Sequence, residues 1–216
     1  MKLAKLLFLE TKISEIPKIT SFEDINQFIV NKNLKYIGEG STRIVYELNN
    51  LQVIKFPIAE ENIEQNLVEA NTYKCLGSKF AAQIFSYDSN GFWLIMEKVK
   101  PLSESEFKNK INNLLGFELE YHSIKTKFNI DDFTELPFNM ELADALIPYN
   151  QPQKNLHKIL CEHSKWFREF NNKIVECKVH GKDLGYDNFG LRNNGLVLID
   201  YAFELSDMDA EDADLC

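Results

Sequence analysis

From Leu34 onward the apolar positions fall into short β-rich runs. LKYIGEG, STRIVYEL and LQVIKFP (34–40, 41–48 and 51–57) are separated by a glycine pair and by Asn49-Asn50. Such runs, bounded by turn residues, predict a three-stranded antiparallel meander. The pattern before it is different. SFEDINQFIVNK (21–32) opens on a serine and two acids, then places Ile25, Phe28 and Ile29 at helical spacing, which predicts a helix. After the meander, Ile63, Leu67, Ala70 and Tyr73 recur at helical spacing between Glu60 and Leu76, and Gly77 stops that helix. Two more strands are expected around AQIFSYD and FWLIMEKV, turned by Ser89-Asn90-Gly91.

Pro101 marks a boundary. Residues 102–153 mix helical pieces with turns at Pro137, Pro148 and Pro152 and carry no identifiable chemistry. A single amphipathic helix is expected over about 154–175, with Leu156, Ile159, Leu160, His163, Phe167, Phe170 and Ile174 on or near one face. His163 is read there as a satisfied histidine at the core edge. Finally, VHGKDLGYDNFGLRNNGLVLID (179–200) puts two apolar runs around Asn193-Asn194-Gly195, a hairpin signal. Five strands with one helix, then a mainly helical part with a small hairpin, predict an α+β chain in two lobes. The lobes are expected at 1–98 and 99–203, followed by an acidic tail at 204–216.

Composition narrows the class. Apolar residues make up 44% of the 216, with 16 Phe, enough for a real core. The net charge is −9, but six acids (Glu204, Asp207, Asp209, Glu211, Asp212, Asp214) crowd the tail, leaving −3 for the rest. A body without basic excess argues against nucleic acid as a partner. Cys75, Cys161, Cys177 and Cys216 form no CxxC pair, so reduced thiols in a cytoplasmic protein are expected. Cys161-x-His163 and Cys177-x-x-His180 offer four zinc ligands, but in no usual knuckle spacing. MKLAKLLFLETK is a poor signal peptide, and no apolar run reaches the roughly 18 residues of a membrane span.

The polar residues hold the chemistry. Gly38 and Gly40 lie at the tip of a β-hairpin rather than before a helix, which excludes a dinucleotide fingerprint. Absent side chains there would let backbone N–H groups approach phosphate oxygens. Lys55, between apolar neighbours in VIKFP, needs a carboxylate if it is buried. Glu69 is the first candidate and Glu64 the second, and a lysine that snorkels to solvent is the alternative. WLIMEKV reads as a connector whose backbone, around Met96, Glu97 and Val99, could hydrogen-bond a flat ligand.

In order and spacing these parts resemble the protein kinase family over about residues 34–203. The resemblance rests on Gly38-x-Gly40-x-x-Arg43-x-Val45-Tyr46, Lys55, Glu69, Met96-Glu97, Asp183-x4-Asn188 and Asp200. It implies a protein kinase-like fold with a reduced helical lobe, and ATP and Mg2+ as cofactors. Gly38, Gly40, Val45, Lys55, Glu69, Met96, Glu97 and Val99 would serve the nucleotide, and Asn188 and Asp200 the metal. Asp183 would accept or orient the acceptor hydroxyl, with Lys55 as its catalytic companion. His180-Gly181-Lys182-Asp183 is also similar to the His-Gly-Asp loop of aminoglycoside and choline phosphotransferases. Four positions depart from the family. Arg43 replaces a third glycine, Tyr201-Ala202 replaces Phe-Gly, His180 lies one residue too far from Asp183, and Lys182 stands for an arginine. Only 16 residues follow Asp200, where the family has an activation segment and peptide-docking helices. The expected function is phosphoryl transfer to a protein hydroxyl, including its own. The alternatives are a small-molecule kinase and a non-catalytic module that acts on a protein partner.

Overall fold

The computed structural model describes residues 16–116, 154–179 and 184–201. The chain divides into two compact units, one of residues 1–70 and 84–98 and one of 71–83 and 99–216. In the first unit, helix α1 (Phe22–Lys32) precedes strands β1 (Lys35–Glu39), β2 (Arg43–Asn49) and β3 (Gln52–Pro57). A 3-10 turn (Glu60–Asn62) leads into α2 (Ile63–Leu76), the helix in which the boundary between the units falls. Strands β4 (Ile84–Tyr87) and β5 (Leu94–Glu97) complete an antiparallel sheet of order β1-β2-β3-β5-β4. The fold is α+β, with the five-stranded sheet that the apolar runs predict.

Register assigns the two sheet faces. Ile44 pairs with Phe56 and Tyr46 with Ile54, while Ile54 pairs with Ile95. These residues share a core with Ile19, Ile25 and Phe28, so α1 covers this face. Each fully buried large apolar side chain there contributes roughly 1.5–3 kcal/mol. α1 is held at both ends. The Ser21 hydroxyl accepts from the Asp24 N–H at 3.1 Å, and Asn33, at φ 48°, donates to Ile29 O and Val30 O. The alternate positions Arg43, Val45, Val53, Lys55, Leu94 and Met96 take the opposite face.

In the second unit, α3 (Glu104–Leu115) is followed by α4 (Lys154–His163), α5 (Lys165–Glu176) and the hairpin β6 (Phe189–Arg192) and β7 (Gly195–Leu198). Its core gathers Leu76, Phe80, Phe107, Ile111, Phe170, Ile174, Phe189 and Leu198. Asn193 and Asn194, at φ 51° and 64°, make the two-residue hairpin turn. Gly190 is required by packing, because a Cβ would lie 2.3 Å from Val99 Cγ1 and 2.8 Å from Lys100 O.

Three expectations are corrected. The single helix over 154–175 is two helices that meet at Ser164, whose extended backbone caps α5 and whose hydroxyl accepts from the Phe167 N–H at 3.1 Å. A cap hydrogen bond replaces a helical one at that point, which apolar spacing alone does not reveal. His163, at the end of α4, is consequently exposed rather than set at the core edge. The cysteines are not free. Cys75 and Cys177, 102 residues apart, form a disulfide, and Cys161 is disulfide-bonded as well. Neither Cys161 nor Cys177 can then supply a zinc thiolate, and His180 lies outside the described residues. Among the described residues no helix is long and apolar enough to cross a membrane.

Candidate functional site

Strand parity builds one group of candidate residues in the first unit. Gly38 pairs with Val45, Val45 with Lys55, and Lys55 with Leu94, a single row across four strands. Lys55 is 4% exposed, so its ammonium is withdrawn from water. Its Nζ donates to Glu69 Oε1 at 2.9 Å and to Oε2 at 3.1 Å. Glu69 is completely buried, whereas Glu64, the second candidate, faces solvent. The lysine therefore does not snorkel. Burial of one partner without the other would cost several kcal/mol, roughly 3–5, so each explains the other.

α2 is held in the phase that delivers Glu69. Asn66, completely buried, donates from Nδ2 to Gly91 O at 2.8 Å. Gly91 has φ +84°, and a Cβ there would stand 2.4 Å from Ile63 O, so only glycine lets this turn approach the start of the helix. One turn beyond Asn66, Glu69 reaches Lys55. Of the four residues expected to form its apolar face, Ala70 is buried while Ile63, Leu67 and Tyr73 stay half-buried, and the helix also buries the polar Asn66, Glu69 and Thr72.

Arg43 is a member that reading the sequence missed. It is 5% exposed, and its Nη1 donates to Glu69 Oε2. Two cations thus share one buried carboxylate. The signal was strand parity, because Arg43 alternates with Ile44 and so falls on the face of Val45 and Lys55.

The two glycines beside this row have no structural demand among the described residues. Neither has positive φ, a Cβ on Gly38 meets nothing within 4 Å, and one on Gly40 meets only Arg43 O at 3.9 Å. The turn is closed by a hydrogen bond from the Gly40 N–H to Arg43 O at 2.9 Å. Met96 is buried on β5, and Glu97, half-buried, ends that strand opposite Gln52. The Lys98 N–H then donates to Leu51 O at 2.8 Å.

The other unit carries a second group of candidate residues. Asn188 ends the 3-10 turn just before β6, and Asp200 follows β7 by two residues. The Ile199 N–H donates to Asn188 O at 2.8 Å, which holds both residues at the open end of one hairpin. Both are half-buried. An amide oxygen and a carboxylate are hard donors, and magnesium keeps several waters and phosphate oxygens besides one or two protein ligands. The pair fits that ion. Val99 is half-buried against Gly190 in the same unit. Asp183 lies outside the described residues, between the fully buried Val179 and Leu184.

Among solved structures, the chain is similar to the ADP-bound aminoglycoside phosphotransferase APH(2'')-Ib, at 18% identity over 89% of this chain and 74% of that one, with a TM-score of 0.40. It is similar to the gentamicin complex of APH(2'')-IIa at 19% identity over 90% and 74%, with a TM-score of 0.43. The choline kinase LicA from Streptococcus pneumoniae follows at 16% identity over 88% and 77%, with a TM-score of 0.40. No protein-family model and no curated protein sequence matches the chain. The strand order, the buried Lys55–Glu69 pair in a row with Gly38, and the hairpin that carries Asn188 and Asp200 are features that the resemblance to a protein kinase-like fold implies.

Proposed function

We propose that the chain is an ATP-dependent phosphotransferase whose acceptor is the hydroxyl of a small molecule. The observation that carries this is the buried Lys55–Glu69 pair, set in a row with a glycine that the fold itself does not require. A positive group held at fixed geometry beside open backbone suits a polyphosphate, whose transfer needs charge neutralised and oxygens positioned. Gly38, Gly40 and Val45 would border the nucleotide, with Met96, Glu97 and Val99 along its flat base. Asn188 and Asp200 would hold Mg2+, which when bound supplies charge neutralisation for the phosphates.

In the transfer, the acceptor oxygen bonds to the terminal phosphorus as the bond from that phosphorus to the ADP oxygen breaks. The hydroxyl proton passes to the Asp183 carboxylate. The protein hydroxyl expected as acceptor gives way to a small molecule because His180-Gly181-Lys182-Asp183 resembles the loop of the small-molecule branch.

Thermal melting of the wild type and Asp200→Asn, with and without Mg2+ and ATP, tests the nucleotide half. At about 100 times Kd a ligand adds about 2.7 kcal/mol. For a chain of this size 1 kcal/mol moves Tm by roughly 2–4 °C. A magnesium-dependent rise of roughly 5–11 °C is expected in the wild type and its loss in the variant. No shift in either protein refutes nucleotide binding. Label transfer from ATP then tests the acceptor. Incorporation into amino-alcohols or aminoglycosides, absent in Asp183→Asn, is expected, and label found only on the chain itself returns the acceptor to a protein hydroxyl.

A further inference from the structure

We propose that Arg43 is a positioning residue, an inference that rests on the phosphotransferase reading above and deepens it. It holds the Glu69 carboxylate that orients Lys55, and it couples that carboxylate to the glycine turn. In the resembled family a third glycine stands at this position. A large charged side chain there needs a reason, and the structure supplies one at both its backbone and its side chain.

The backbone of Arg43 closes the turn, since its carbonyl accepts from the Gly40 N–H at 2.9 Å. Its neighbour Thr42 accepts from the Ile58 N–H at 3.0 Å, which fastens the turn beyond the end of β3. The side chain reaches in the other direction, to α2. Arg43 Nη1 donates to Glu69 Oε2, the same oxygen that accepts from Lys55 Nζ at 3.1 Å. All three residues are at most 5% exposed, so water does not compete freely for these bonds.

Arg43 and Lys55 come from adjacent strands and share one acceptor. A shift of either cation therefore changes the geometry offered to the other. A guanidinium is planar and permanently charged, so it fixes the orientation of the carboxylate more firmly than a second ammonium would. The phosphate-facing turn, the helix glutamate and the lysine are thereby tied into one assembly. Arg43 acts on a bound phosphate through Glu69 and the turn.

The test is a double-mutant cycle on the full-length chain, with Mg-ATP affinity measured by calorimetry and folding checked by melting. Arg43→Gln is expected to weaken affinity about tenfold in the wild-type background but about twofold or less when Glu69→Gln is already present. Arg43→Lys is expected to recover part of the loss. Equal losses in both backgrounds would show that Arg43 works without Glu69 and overturn the proposal, as would full affinity in Arg43→Gln. If Arg43→Gln does not fold, the cycle is run with Arg43→Lys, where a loss of about threefold that vanishes with Glu69→Gln supports it. A loss that persists there overturns it. A wild type that binds no Mg-ATP defeats the phosphotransferase reading and this proposal together. A wild type that binds, with additive variants, defeats this proposal alone.

Discussion

A lysine at 4% exposure is tolerable only because a carboxylate meets it, and here that carboxylate also meets Arg43. This sharing sets the outcome of Lys55→Met. The variant leaves Glu69 with a buried cation, so the sheet should stay folded while Mg-ATP affinity falls about tenfold or more. Aggregation of the variant on expression would mark Lys55 as structural instead. Gly38→Val separates fold from function more sharply. Val suits an extended strand, and a Cβ at Gly38 meets nothing within 4 Å, so Tm should hold or rise. The magnesium- and ATP-dependent gain in Tm should nevertheless shrink. An undiminished gain would show that nothing approaches the backbone at Gly38. The need of Lys55 for a carboxylate, with Glu69 ranked before Glu64, was open to sequence reasoning, because a buried ammonium demands a partner. The place of Arg43 on the sheet face of Lys55 was equally accessible through strand parity, though not its bond to Glu69. Asn66 was not, since its acceptor is a backbone carbonyl 25 residues away.

Caps and turns, more than apolar stripes, set where the elements begin and end. Ser103 and Glu106 form a capping box at the start of α3. The Ser103 hydroxyl accepts from the Glu106 N–H at 3.3 Å, and Glu106 Oε2 accepts from the Ser103 N–H at 2.9 Å. The Ser103 backbone N–H, then Lys100 and the Ser103 hydroxyl, pull the Glu106 carboxyl from its ordinary 4.5 down to about 2. A carboxylate depressed in the folded state stabilises it fully above pH 4.5, and that support is lost as pH falls through about 2. Glu106→Gln removes the titration. Its melting point should therefore lie below that of the wild type at neutral pH and converge on it between about pH 4.5 and 2. A constant gap over that range would show that Glu106 does not titrate as the cap requires. The break between α4 and α5 belongs to the same scale. Ser164 was visible in the sequence as a capping type, yet apolar spacing ran across it, because two consecutive helices can keep one buried side. α2 shows the reverse, a helix whose buried side is partly polar because a sheet-borne lysine and a turn carbonyl wait for it.

At the scale of the chain, each unit has its own apolar core, and the second carries the Cys75–Cys177 disulfide. A crosslink across a loop of 102 residues removes much of the freedom of the unfolded chain. The expected stabilisation is roughly 2–5 kcal/mol. Cys75→Ser with Cys177→Ser should lower the free energy of unfolding by that amount in denaturant titration. Wild type with reductant is a poorer comparison, because Cys161 is disulfide-bonded too. An unchanged midpoint and slope would mean that the bridge does not constrain the unfolded state. The sequence by itself determined the strands, the hairpin turns, the α+β class and the lysine's need for a carboxylate, because alternation, turn chemistry and the cost of a buried charge are local. Only the tertiary structure decided which glutamate answers Lys55, that Arg43 shares it, and that cysteines 102 residues apart are bonded. Those outcomes depend on helix phase and on which segments meet, and both are set by packing between residues far apart in sequence.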